Sequence, residues 1–254
     1  MINARLISLL VIVCAAMTTM PLYAQNVAAL MQQAESFEKV FKDDEALKKY
    51  IEVLKLEPLN INALCKTSEL YSVIGKRRPT KEEQKQYYKT GESYARKALK
   101  VNPNHSEANF AMAISMGRMA LISSGKEKIV AVKEIKTYAD KCIQLDPKNY
   151  KGYHVLGKWH YEVSDLNSLE KWIVKITYGA LPPSSLEESI KNYEKSKQLS
   201  PGFLLNYLEL AKAFKRKGET NKARVLLEQL QKLPPKASDD DKIKSLGRTL
   251  LNEL

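Results

Sequence analysis

The chain is expected to fold as an all-α solenoid of stacked antiparallel helix pairs. Three observations predict this. Four helix-like runs close on a proline in the same manner: KKYIEVLKLEP at Pro58, YARKALKVNP at Pro103, YADKCIQLDP at Pro147 and NYEKSKQLSP at Pro201. After each proline a second helix-like run begins, with small or apolar residues at matching offsets. No β-branched alternation or Asn-Gly turn marks a strand or hairpin. Such units cannot bury their apolar faces alone, so neighbours stack into one continuous core, an architecture used for binding.

The elements follow in order. Met1–Ala24 has the three parts of a secretory signal: Arg5, the apolar run Leu6–Ala16, and Leu22-Tyr23-Ala24 as a cleavage site before Gln25. The apolar run has 11 residues, against the roughly 20 a spanning helix needs. Residues 25–254 then read as one helical repeat domain. Its units are about 26–58, 61–103, 106–147, 150–201 and 204–237, with a capping helix at 238–254. Thr80-x-x-Glu83 is a capping-box start for a helix running to Leu99. Residues 165–178 are expected to form an extra amphipathic helix (Leu166, Leu169, Ile173, Ile176), stopped by Gly179 and Pro182-Pro183. Ile243, Leu246, Leu250 and Leu251 give the last helix an apolar face. That face either caps the array or serves self-association.

The repeat matches the tetratricopeptide pattern W-x2-L-G-x2-Y followed by a small residue, an aromatic and proline. After Pro147 the chain has Tyr153, Leu156, Gly157 and His160; after Pro201 it has Tyr207, Leu210, Ala211 and Phe214, then Ala223 and Pro235. Weaker matches are Leu64, Thr67, Ser68, Tyr71 and Asn109, Met112, Ala113, Met116. Small residues let two helices approach while large ones fill the space beside them. Only the interval from Pro201 to Pro235 is 34 residues; the others are 45, 44 and 54.

The run HYEVSDLNSLEKWIVKITYGALPPSSLEESIKNYEKSKQLSPGF, His160 to Phe203, joins a helix insert, a Gly-x-x-Pro-Pro stop and a Ser-x-x-Glu-Glu restart. With the following NYLELAKAFKRKGETNKARVLLEQLQKLP, it resembles the regulator of microtubule dynamics family. The resemblance covers nearly all of the chain after residue 24, most firmly 138–254. It implies a tetratricopeptide-like helical domain without enzymatic activity. For eukaryotic members it implies association with microtubules and organelle membranes. Removal of a signal would place this chain outside the cytoplasm, periplasmic or secreted, away from tubulin. A retained N-terminal anchor would instead leave it on a membrane, facing the cytoplasm.

The chain is basic, with 41 Lys+Arg against 29 Asp+Glu, a net charge of +12. Such an excess favours acidic partners, with salt-sensitive binding; the plainer reading is lysines solvating outer helix faces. The clusters Lys76-Arg77-Arg78 and Lys215-Arg216-Lys217 are short and lie in no recognised nucleic-acid fold, so no nucleic acid is expected.

The residues give no constellation for catalysis. Gly152 to Lys158 copies the glycine and lysine of a P-loop, but Trp159 replaces the magnesium-binding Ser/Thr and the segment is helical. His105, His154 and His160 lack metal-site spacing, and His160 takes the core place of Tyr71 and Phe214. No cofactor or metal is expected, and the protein is read as a non-enzyme. Cys142 occupies the small packing position that Ala98 has in the preceding unit, while Cys65 is expected to be partly exposed; no bridge between them is expected.

First helices line the concave side of such arrays. The stripe opposite their packing residues is Lys151, His154, Lys158, Tyr161 and Glu162 in one unit. In the next it is Leu205, Leu208, Lys212, Lys215 and Arg216, with Phe110, Ile114 and Arg118 from the unit before. Cations beside aromatic and aliphatic side chains suit an acidic or C-terminal peptide. The stripe could equally be an ordinary solvated face, or lie under helix 26–41. The cluster Trp159, Tyr161, Trp172 and Tyr178 is a second candidate, expected mainly to wedge the inserted helix against the array.

Overall fold

The computed structural model describes residues 25–166, 179 and 181–254, with the backbone alone at 125–127. The described residues form eleven α-helices and no strand: α1 (25–39), α2 (Asp43–Leu56), α3 (Ile61–Gly75), α4 (Lys81–Val101), α5 (Ser106–Ile122), α6 (Gly125–Leu145), α7 (Tyr150–Asp165), α8 (Leu186–Leu199), α9 (Leu204–Arg216), α10 (Thr220–Lys232) and α11 (Asp240–Asn252). The expected signal (1–24) and nearly all of the inserted helix (165–178), Trp172 and Tyr178 included, lie outside the described residues.

The proline punctuation has a local cause. Each helix after a proline takes the second residue past it as its N-cap: Asn60, His105, Asn149 and Phe203. Asn60 Oδ1 accepts from the Ala63 amide at 3.0 Å and Asn149 Oδ1 from Gly152 at 3.3 Å, satisfying amides that a helix start leaves open. Phe203 has no side-chain cap bond; its ring packs on Tyr150 and His154 at 5.2 and 4.9 Å. The Thr80–Glu83 capping box forms, with 3.2 and 3.1 Å bonds in the two directions. The 45- and 44-residue intervals go into long second helices, since α4 and α6 each have 21 residues while α8 has 14 and α10 has 13.

Successive first helices touch, α3 on α5, α5 on α7 and α7 on α9, while second helices pack on first helices. First helices therefore take the inner radius and form the concave wall. Close approach within pairs depends on size matching. A Cβ on Gly157 would lie 2.6 Å from the ring of fully buried Tyr193, where α7 meets α8. Trp159 is buried and its Nε1 donates to the Val132 carbonyl at 2.6 Å, so this tryptophan fastens α7 to α6. His160 is buried edge-on against it. The last helix caps the array: Ile243 is buried, Leu250 and Leu251 pack on the α9–α10 core, and Leu246 stays exposed.

Two features differ from expectation or were not anticipated. Cys65 is buried, 2% exposed, beside Leu64 and Ala108, because α3 turns that side toward the neighbouring unit rather than the groove; it and Cys142 are free thiols. The array also closes on itself. Lys76, following α3, reaches Asp239, before α11, at 2.8 Å. Asp43 on α2 pairs with Arg77 and accepts from Ser238 Oγ at 2.5 Å.

Candidate partner-binding face

The concave wall carries two charge clusters. In the first, Lys151 Nζ on α7 lies 3.2 Å from both carboxylate oxygens of Glu69 on α3, bonds Glu107 on α5, and sits 4.4 Å above the Phe110 ring. Burial opposes the Lys151 charge, but the two carboxylates outweigh it and hold the ammonium above its ordinary value. Beside it Lys66 reaches Glu38 on α1 at 2.8 Å, which ties the N-terminal helix to this end of the wall.

The second cluster joins α5, α7 and α9. Glu209 on α9 accepts from Lys158 at 2.8 Å and from Lys212 at 2.7 Å. Burial alone would raise this carboxyl, but the two ammonium groups bring it down to about 2. His154 Nδ1 lies 3.0 Å from Asn206 Oδ1, and Asn206 Nδ2 donates to the Tyr193 carbonyl at 2.8 Å. That orientation makes Nδ1 the donor. Burial pulls His154 down to about 4, so the ring is neutral near pH 7. Arg118 on α5 is half-buried, and its Nε is buried with no hydrogen-bond partner.

The stripe read from the sequence separates into groups. His154 and Leu208 are buried in the packing between units and present no open surface. Tyr161 is half-buried between cations, with Arg216 4.3 Å and Lys158 5.4 Å from its ring centre. Arg216 also donates to the Tyr161 carbonyl at 2.8 Å and pairs with Asp165 at 3.2 Å. Lys158 pairs with Glu162 as well, at 2.9 Å, and Lys215 with Glu253 at 3.0 Å. The lysines are thus committed to carboxylates of the same chain, and the wall is a lattice of paired charges rather than a bare basic strip. The partners that make it so, Glu69, Glu107, Asn206 and Glu209, were absent from the sequence reading. Only Glu209, three residues before Lys212 on one helix, had a local signal; the others meet their partners across units.

The two basic triplets are occupied in the same way. Arg78 pairs with Asp44 at 3.3 Å and lies over Tyr87, and Lys217 pairs with Glu219 at 3.0 Å. Gly152 to Lys158 lies inside α7, so no phosphate loop forms there. Among the described residues no helix is long and apolar enough to cross a membrane. An open hollow of about 680 Å³ lies between α6, α7 and α8, with Tyr153 and Lys195 in its lining.

Known proteins place this arrangement. A solved tetratricopeptide-repeat protein of Thermus thermophilus superposes with a TM-score of 0.66 at 9% identity, covering 88% of this chain and 99% of that one. The pilF protein of Pseudomonas aeruginosa gives 0.55 at 12% identity, covering 91% and 87%. Both likenesses are of fold. Rat Regulator of microtubule dynamics protein 3 is 26% identical over 178 residues, 70% of this chain and 38% of the relative. Bovine Regulator of microtubule dynamics protein 1 is 29% identical over 175 residues, 68% and 55%. The chain thus spans between about a third and somewhat over half of the relatives it matches. The family model for Regulator of microtubule dynamics protein 1-3 matches residues 30–254, every helix from α2 to α11 included, and the chain belongs to that family.

Proposed function

We propose that this chain is a non-enzymatic interaction module that holds a segment of a protein partner against its concave wall. The observation that supports it most is the wall itself. Side chains from α3, α5, α7 and α9 are locked by ion pairs between units, so the surface is pre-organised and little side-chain entropy is lost on binding. The tetratricopeptide likeness supports the same reading, since such solenoids use extended concave surfaces for binding. The net charge of +12 favours an acidic partner. The place of action is the cell envelope, periplasmic or secreted, with cleavage near Ala24–Gln25, a reading supported by the basic start, apolar run and small-residue site of Met1–Ala24.

The relatives' printed names support a second reading, in which the chain helps regulate microtubules through its basic surface. Export decides between the two.

The test is a cross-linked capture from source cells with the full chain as bait, its intact mass recorded. Lys212→Gln/Lys215→Gln on the concave side is compared with Lys191→Gln/Lys195→Gln on the outer face of α8. Loss of one partner from the concave variant alone, with residues 1–24 missing from the bait, is the expected result. Equal partner sets from both variants would overturn the concave reading. An intact N-terminus with recovered tubulin would favour the second.

A further inference from the structure

We propose that copies of this chain join head to tail, the exposed tip between α1 and α2 of one entering the hollow between α6, α7 and α8 of the next. This goes beyond the reading of the concave wall and does not depend on it.

The tip is held against its own backbone preference. α1 ends in a turn where the Phe41 amide donates to the Glu38 carbonyl at 3.0 Å and the Lys42 amide to the Phe37 carbonyl at 2.9 Å. α9 ends in the same turn, with Gly218 donating to Lys215 at 3.0 Å and Glu219 to Phe214 at 2.9 Å. Both turns need a left-handed residue, and φ is +82° at Gly218 and +61° at Phe41. Glycine takes that conformation freely, whereas phenylalanine is strained in it. Burial offsets only part of the strain, since Phe41 is 40% and Val40 59% exposed. Strained residues that persist cluster at functional sites, and well-packed aromatics are frequent anchors of protein contacts.

The hollow complements the tip. Its volume of about 680 Å³ is ample for a phenylalanine and a valine side chain, and Ile143 and the Tyr153 ring are in its lining. Lys39 and Lys42, on either side of the tip, are exposed and form no ion pair with a described residue. At the hollow Lys191 holds Glu188 at 3.2 Å and Lys195 bonds Gln198 at 3.2 Å, while Glu194 forms no ion pair with a described residue. An apolar pair edged by free ammonium groups thus matches an apolar-lined hollow edged by a free carboxylate. The tip is fixed away from its own hollow. α2 packs on α3, Asp43 and Asp44 beside the tip are held by Arg77 and Arg78, and the hollow begins three helices further on. Because tip and hollow are different surfaces, each contact leaves one of each free for a further copy.

Sedimentation equilibrium of the full chain over a concentration series is expected to show reversible association that weakens with salt. Phe41→Gly gives this turn the residue that α9 has. It is expected to weaken association about tenfold or more without lowering the midpoint of thermal unfolding. Gln198→Trp fills the hollow from an exposed position and is expected to weaken association equally. At a concentration where neither variant alone associates, an equimolar mixture is expected to form a one-to-one dimer, since the first keeps its hollow and the second its tip. Wild-type association of Phe41→Gly, a lowered midpoint in that variant, or no dimer in the mixture would overturn the proposal. So would a monomer at every concentration, which would leave the tip to an anionic membrane or a foreign protein.

Discussion

Lys76 and Asp239, 163 positions apart in the chain, meet at 2.8 Å. That contact joins the second repeat to the start of the capping helix and turns an open solenoid into a closed one. Beside it Asp43, whose side chain is only 10% exposed, receives both Arg77 and Ser238.

Opening this bridge should change shape as well as stability. Asp43→Ala strips partners from Arg77 and Ser238 and is expected to cost about 1–3 kcal/mol in denaturant unfolding. It should also increase the radius of gyration in solution scattering. Lys76→Glu should do the same, and Lys76→Glu with Asp239→Lys should recover the compact form. Unchanged scattering in both single variants would show that the bridge does not set the shape.

Stability should depend on pH through His154. Its folded value of about 4 lies below the ordinary 6.5, so between these values the unfolded chain binds a proton that the folded one refuses. The contribution is complete above about pH 6.5 and is lost as pH falls toward 4, with a slope of about 1.4 kcal/mol per pH unit. Glu209 acts in the same direction lower down. Its ion pairs stabilise fully above 4.5, and that stabilisation is lost toward about pH 2. His154→Gln should flatten the upper part of the profile in urea melts; a profile with an unaltered slope contradicts the assignment.

Gly157→Ala should destabilise by about 1–3 kcal/mol through overpacking. The new methyl would lie 2.6 Å from the Tyr193 ring, which has no exposed surface and nowhere to move. A neutral effect in thermal unfolding would show that α7 and α8 can separate freely.

The thiols offer a chemical check. Burial pushes Cys65 up to about 12 and Cys142 up to about 11, so neither should react with a disulfide reagent in the folded protein. Denatured protein from the source should titrate two thiols if residues 1–24, with Cys14, have been removed. A count of three contradicts export by cleavage.

What was legible followed from local chemistry. Pro58, Pro103 and Pro147 mark caps two residues on, Thr80 and Glu83 form their box, and small residues such as Gly157 face large ones such as Tyr193. The repeat register also predicts His160 in the core, where it lies. The charge pattern of the wall was less legible, because a run of lysines on one helix says nothing of the acid that the next unit brings. Lys158 meets Glu209 across 51 positions, and Lys151 meets Glu69 across 82. Cys65 was misplaced for a related reason: its exposure depends on the angle between units, which one unit's spacing does not determine. Arg118 was singled out as one of several groove cations, but its separateness appears only once the others have found their partners.

Photo-crosslinking in source cells shows whether a partner sits on the concave wall. A photoreactive amino acid replaces Lys212 on the inner face in one bait and Lys191 on the outer face of α8 in another. One discrete adduct is expected from position 212 and none of that mass from position 191. The same adduct from both positions, or from 191 alone, would contradict it.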